Sequence, residues 1–150
     1  MRRYTGAASI HASAARVWNV IADLSNSAIG AGITERVEID YAGETAVRTL
    51  HLLPSFGGGA VREVIERLDP ENRVLAYRVI DPGPVAMTHY EGEFHVASHG
   101  SGTQLEYRAR FDAASPADLE SLAAVAAGNF ATFATNLARL LAARCELHDR

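Results

Sequence analysis

Residues 104–140 read QLEYRARFDAASPADLESLAAVAAGNFATFATNLARL, and the hydrophobic period changes inside them. Up to Phe111 it is two: Leu105, Tyr107, Ala109 and Phe111 alternate with Gln104, Glu106, Arg108 and Arg110, the pattern of a strand with one apolar face. From Pro116 onward apolar residues recur every three or four positions, at Leu119, Leu122, Ala126, Phe133, Leu137 and Leu140, with Asn129 inside the stripe. Ser115 is placed to cap, and Pro116 suits the first helical position, so the spacing predicts a helix over about Pro116 to Arg144. Such a helix cannot bury its stripe alone, and a sheet with one apolar face needs a cover. Each should be the other's core.

The chain before residue 104 supplies the rest of that sheet. Residues 2–10 read as a strand, and 13–24 as a helix capped by Ser13, with Val17, Val20, Ile21 and Leu24 on one side. A second short helical turn is expected at Ser25 to Ile29, ended by Gly30 and Gly32. Alternating segments follow at 33–41, 45–53, 61–69, 74–80 and 88–98, separated by turn residues such as Gly43, Pro70 to Asn72 and Asp81 to Pro84. The expected fold class is α+β, a seven-stranded curved antiparallel sheet wrapped around a long C-terminal helix, with two short helices after the first strand.

Composition narrows the function classes. At 150 residues one domain over 1–150 is expected, and 48% hydrophobic with 21% charged residues is the balance of a soluble globular chain. Lys and Arg total 14 against 18 acids, with no basic stripe, which argues against a nucleic-acid partner. No apolar run is long enough to span a membrane, and Met1 to Ser13 lacks a signal-peptide core. A single cysteine, Cys145, cannot form an internal disulfide, so a cytoplasmic location is expected, as monomer or homodimer. His89 and His95 share a strand face with Glu91 and Glu93 and read as solvated, His51 lies opposite Arg48, and His11, His99 and His148 sit at ends or turns. No spacing resembles HExxH, and Gly57 to Gly59 is followed by a strand without the Lys-Ser/Thr of a phosphate loop. Neither metal nor cofactor is expected.

Three inner-facing polar residues stand out. Arg48 is in phase with Leu50 and Leu52, Glu63 with Val61, Ile65 and Arg67, and Tyr90 with Gly92, Phe94 and Val96. A hairpin centred near residue 56 sets positions 48 and 63 almost opposite one another. Unpaired buried charge is costly, so Arg48 and Glu63 should pair or line a wet cavity, unless a bulge turns them to the rim or the outer face. The pair is expected to stay solvated. Leu50, Leu52, Phe56, Tyr77, Phe94, Tyr107, Asn129 and Phe133 are the candidate cavity lining, for a small hydrophobic molecule. In such a cavity Arg48 could hold a carboxylate or enolate bidentately, Glu63 could carry a proton, and Tyr90 could donate to a developing oxyanion.

The element order, with Ala15-Arg-Val-Trp18, the ExxxxLD of Glu63 to Asp69, Arg73 to Tyr77, and Tyr90 after Pro82-Gly-Pro84, resembles the START-like or Bet v 1-like (SRPBCC) superfamily, in particular its bacterial polyketide cyclase/dehydrase branch. The resemblance covers nearly the whole chain and implies the helix-grip fold with an internal ligand cavity. The plant abscisic acid receptors and the lachrymatory-factor synthase look like relatives in the middle segment. In the synthase, residues matching Arg48, Glu63 and Tyr90 are implied to be catalytic, while the receptors use a glutamate and a tyrosine there for ligand contacts. Loop 54–59, with Phe56 at its tip, matches the receptors' gate loop in position, and an ordinary hairpin loop would read the same. Many bacterial members carry a Trp-rich stretch where this chain has Ser25-Asn-Ser-Ala-Ile-Gly30, so the resemblance carries no ligand identity. A cyclase, dehydratase or isomerase and a non-catalytic binding or carrier protein both fit.

Overall fold

A computed structural model describes the backbone of residues 1–148 and the side chains of residues 1–142. The side chains of Cys145 and His148 lie outside the described residues. Strand β1 (Arg2–Ile10) leads into helix α1 (Ala14–Ala22) and then β2 (Thr34–Ala42), β3 (Thr45–Leu52), β4 (Ala60–Asp69), β5 (Val74–Asp81), β6 (His89–His99) and β7 (Gly102–Asp112). Helix α2 (Pro116–His148) ends the chain. The strands form one antiparallel sheet in the order β1-β7-β6-β5-β4-β3-β2, so the first strand pairs with the last and every other neighbour is a hairpin. The curved sheet closes on the long helix in the helix-grip fold that the resemblance implies, with the change from strand to helix falling between Asp112 and Pro116.

Both helices start where their caps stand. Ser13 Oγ accepts from the Arg16 amide at 3.3 Å, and Ser115 Oγ from the Asp118 amide at 3.1 Å, each satisfying an otherwise orphaned first-turn donor. Helix α1 stops at Ala22, short of Leu24. Beyond it the short helical turn falls at Ala28–Gly30 rather than Ser25–Ile29 and is a single 3-10 turn. The reason is local: the Asp23 carboxylate accepts from the Ser25 amide, and the Asn26 side chain from the Ala28 amide, turns that compete with helical bonds. Asn136 of α2 then ties this segment down, its amide donating to the carbonyls of Ile29 at 2.7 Å and Ala31 at 3.0 Å.

The strand faces follow the alternation except where the register shifts, between Thr34 and Arg36 on β2 and at two places on the β4–β5 pair. A bulge between Ile65 and Arg67 puts Arg67 outside, where it pairs with Asp69 at 2.7 Å. Asp69 in turn accepts from the Asn72 side chain and amide, which, with Arg67, hold its carboxyl well below the usual range. The core combines the inner face of β6 and β7 with α1 and α2: Leu105, Phe111, Val17, Val20, Leu75 and Leu137 are its most completely buried members. Helix α2 makes its principal contacts with the 28–30 turn, β1, β7 and α1. Opposite it, β3, β4 and β5 stand away from the helix, and space remains.

Because Leu137 is fully buried where the helix meets the sheet, we predict that Leu137→Ala lowers the unfolding free energy by about 3 kcal/mol, read from urea melts. A loss below about 1 kcal/mol would show that α2 does not close the core in this way.

Candidate functional site

The space between α2 and strands β3 to β5 is a cavity of about 300 Å³. That is the low end of the range for small-molecule sites. Its walls are mostly apolar. Arg48, Glu63 and Tyr90 line it, as do Leu50, Leu52, Phe56, Tyr77, Phe94, Tyr107, Asn129 and Phe133, so all eleven residues singled out from the sequence meet at one cavity. Several wall residues carried no such signal. Ile29 comes from the 28–30 turn, Ile33 from the residues just before β2, Val37 from β2, and Val85 and Met87 from the segment before β6. Phe130 was hidden by the helical stripe drawn through Asn129, yet it is the buried residue at that turn and stacks on Tyr107 with ring centroids 5.5 Å apart.

One polar wall is an ion pair. Arg48 and Glu63 are direct cross-strand partners on β3 and β4, as the hairpin arithmetic places them. Arg48 Nε donates to Glu63 Oε1 at 2.6 Å, and Nη2 lies 2.5 Å from the same oxygen in an ion pair. The side chains are only 16% and 4% exposed, so protein shields the pair from the outer solvent where it lines the cavity. The geometry also changes the chemistry open to Arg48. Its forked edge is taken by Glu63, so a bidentate grip on a ligand carboxylate is not available through Nε and Nη2. What the pair leaves without a protein partner among the described residues is the remaining guanidinium donors and Glu63 Oε2, on two residues that line the cavity.

The other polar wall consists of tyrosines. Tyr107 Oη lies 2.6 Å from Tyr77 Oη and 2.7 Å from Tyr90 Oη, joining three strands through one hydroxyl. Burial pushes the Tyr77 and Tyr107 hydroxyls well above their ordinary value near 10 and raises Tyr90 too. The Glu63 carboxylate adds to the rise for Tyr77 and Tyr90, which sets the ion pair and the hydroxyls within electrostatic reach. All three hydroxyls are therefore neutral donors and acceptors at neutral pH. Stacking holds the rings: Tyr90 lies against Phe111, and Phe94 against Phe133 at 4.6 Å.

The cavity mouth lies near loop 54–59. Phe56, 42% exposed, sits on a single 3-10 turn, and Gly57, Gly58 and Gly59 follow with left-handed φ of 97°, 64° and 68°. Pro84 packs over Gly57 and Gly59 from the loop before β6. The histidines lie elsewhere. His89 and His95 stand on the outer face beside Glu91 and Glu93, and His51 beside Glu38 on the same face. Among the described residues no cluster of His, Cys, Asp or Glu is arranged to hold a metal ion, and no helix is long and apolar enough to cross a membrane.

A curved sheet gripping a helix over an apolar cavity with two polar walls defines a helix-grip ligand-cavity protein of the Bet v 1-like class. Residues 1–142 match the polyketide cyclase / dehydrase and lipid transport family, and the chain belongs to it. Among solved structures it is similar to the Zhui aromatase/cyclase from a Streptomyces species, with 25% identity, a TM-score of 0.84 and coverage of 96% of this chain and 95% of that one. The protein XoxI from Bacillus cereus shares the fold at 19% identity and TM-score 0.79, covering 93% and 95% of the two chains. Norcoclaurine synthase from Thalictrum flavum shares it at 18% and 0.76, covering 93% and 92%. Among functionally curated proteins nothing matches the sequence.

Two predictions follow from the polar walls. In thermal or urea melts, Glu63→Gln and Arg48→Met should be strongly non-additive, with a coupling of about 1–3 kcal/mol, because each single change strands a buried partner that the double change removes. Additive losses would show that the two side chains do not depend on each other. The tyrosines give a pH dependence with a definite sign. Their folded hydroxyls titrate above the unfolded value near 10, so the stability they contribute is complete below about pH 10 and is lost as pH rises through the folded values. Unfolding free energy should therefore fall above pH 10, and Tyr107→Phe should flatten that fall; an unchanged slope would count against the burial of Tyr107 as its cause.

Proposed function

We propose that this protein binds a small, predominantly apolar, oxygen-bearing molecule in the cavity and catalyses a cofactor-independent proton transfer on it, of cyclase, dehydratase or isomerase type. The observation that carries this reading is the placement of two hydrogen-bonding walls, Arg48–Glu63 and the tyrosine hydroxyls, in an otherwise apolar pocket. Membership of the polyketide cyclase / dehydrase and lipid transport family and likeness to an aromatase/cyclase support it. In this reading Glu63 exchanges a proton through Oε2 with carbon or oxygen next to a carbonyl. Arg48 holds Glu63 in place and offers a remaining guanidinium donor to a neutral carbonyl oxygen rather than clamping an anion. Tyr90 donates to the oxygen on which negative charge develops. The cavity volume suits a compound of one or two rings.

The test is proton exchange from solvent deuterium into, and turnover of, a panel of small aromatic ketones and β-hydroxyketones by the wild type and Glu63→Gln. We expect Glu63→Gln to lower the rate by about a hundredfold or more while leaving affinity within a few-fold. Binding by both proteins with no exchange or turnover by either would sink the catalytic reading. It would favour the second reading, a carrier with a gate loop at residues 54–59, which the exposed Phe56 and the run of three left-handed glycines support.

A further inference from the structure

The tyrosine wall has a construction that goes beyond donation by Tyr90. Three neutral hydroxyls bring three protons, and two of the three oxygen pairs, Tyr77–Tyr107 and Tyr90–Tyr107, meet at hydrogen-bond geometry. Two protons are used inside the chain and one is left. If both outer tyrosines donated to Tyr107, the proton of this buried hydroxyl would have no acceptor among the described residues, so Tyr107 gives it to one neighbour: with Tyr77 donating to Tyr107 and Tyr107 to Tyr90 the free proton is at Tyr90 and Tyr77 keeps only lone pairs, and reversing the chain exchanges the two ends. Tyr107 is well suited to be the fixed middle member. It is 4% exposed, its ring lies nearly parallel to Phe130 at 5.5 Å, and it meets Phe94 at 4.7 Å.

The floor under this chain is Gly92, on β6 between Tyr90 and Phe94. A Cβ at this position would stand 2.7 Å from both the Tyr107 and the Tyr77 hydroxyl oxygens. Gly92 has an ordinary strand conformation, so its backbone does not require glycine. The two hydroxyls occupy the volume that any side chain would fill.

Resting on the reading of the cavity as the ligand site, we propose that Tyr107 and Gly92 are positioning residues that make Tyr77 and Tyr90 a coupled donor–acceptor couple, so that the site selects a neutral ligand carrying a carbonyl acceptor and a hydroxyl donor together. A ligand with acceptors alone meets one outward proton and one outward lone pair, and only the first suits it. A β-hydroxyketone meets both. Because the chain reverses as a unit, either tyrosine serves either role, and the ligand's own polarity sets the direction.

The experiment compares two probes by calorimetric titration: the aldol adduct of benzaldehyde and acetone, and its methyl ether, which keeps both acceptors and lacks the donor. The proteins are the wild type, Tyr107→Phe and Gly92→Ala, each checked for a native far-ultraviolet spectrum and cooperative melt. Tyr107→Phe keeps the stacked ring and frees both outer hydroxyl protons. We expect the wild type to prefer the alcohol by about tenfold. In Tyr107→Phe the alcohol should weaken while the ether tightens, bringing the two within about twofold. General damage to the cavity would weaken both probes. Gly92→Ala, which pushes the hydroxyls apart, should erase the preference as well. If both probes bind and the wild type shows no preference, or Tyr107→Phe leaves the preference intact, the coupling is wrong and the cavity reading stands. If the wild type binds neither probe, the cavity reading falls and this inference with it.

Discussion

The rest of the structure depends on where α2 meets the sheet, and aromatic stacking sets that meeting place. Phe130 lies flat on Tyr107 and Phe133 on Phe94, so the helix is seated against β6 and β7 by large rings with defined geometry. Its other main contacts are with the 28–30 turn, β1 and α1. It makes no comparable contacts with β3, β4 and β5, whose Arg48, Leu50, Glu63 and Tyr77 line the cavity instead. The cavity is the geometric remainder, and it persists because the surrounding core is already closed by well-buried residues such as Leu137 and Leu105.

That remainder is where the fold can hold polar groups. Arg48 and Glu63 satisfy one another across a hairpin, and the tyrosines satisfy one another across three strands, so each polar wall is largely internally paired before any ligand arrives. What remains on offer is small: guanidinium donors, Glu63 Oε2 and the ends of the hydroxyl chain.

The outer face of the same sheet has the opposite character. Glu91 is paired with Arg110, Glu106 with Arg108, and His95 with Glu93 at 2.8 Å, in a ladder of exposed or half-exposed charges. Such pairs contribute little stability individually, but they keep the convex side polar and confine apolar exposure to a few positions, Phe56 at the cavity mouth among them.

Much of this was legible in the residues themselves. The change of period after Phe111, the caps Ser13 and Ser115, and the alternation along each strand determine the elements, because helix and strand repeats are properties of the local chain. The cross-strand pairing of Arg48 with Glu63 was also legible, since a hairpin loop sets register by counting. The one-turn helix at 28–30 was displaced from its expected place by side-chain turns at Asp23 and Asn26, and Arg67 was turned outward by a bulge, neither of which a simple period reveals. Only the tertiary structure decided that Phe130 rather than Asn129 is the buried residue at its turn, that the ion pair is shielded from the outer solvent, and that Tyr77, Tyr90 and Tyr107 share one hydroxyl network over Gly92. Those facts depend on how far apart distant segments stand and on which side the helix leans, and distances between strands and helix are fixed by the packing of the whole core rather than by any stretch of it.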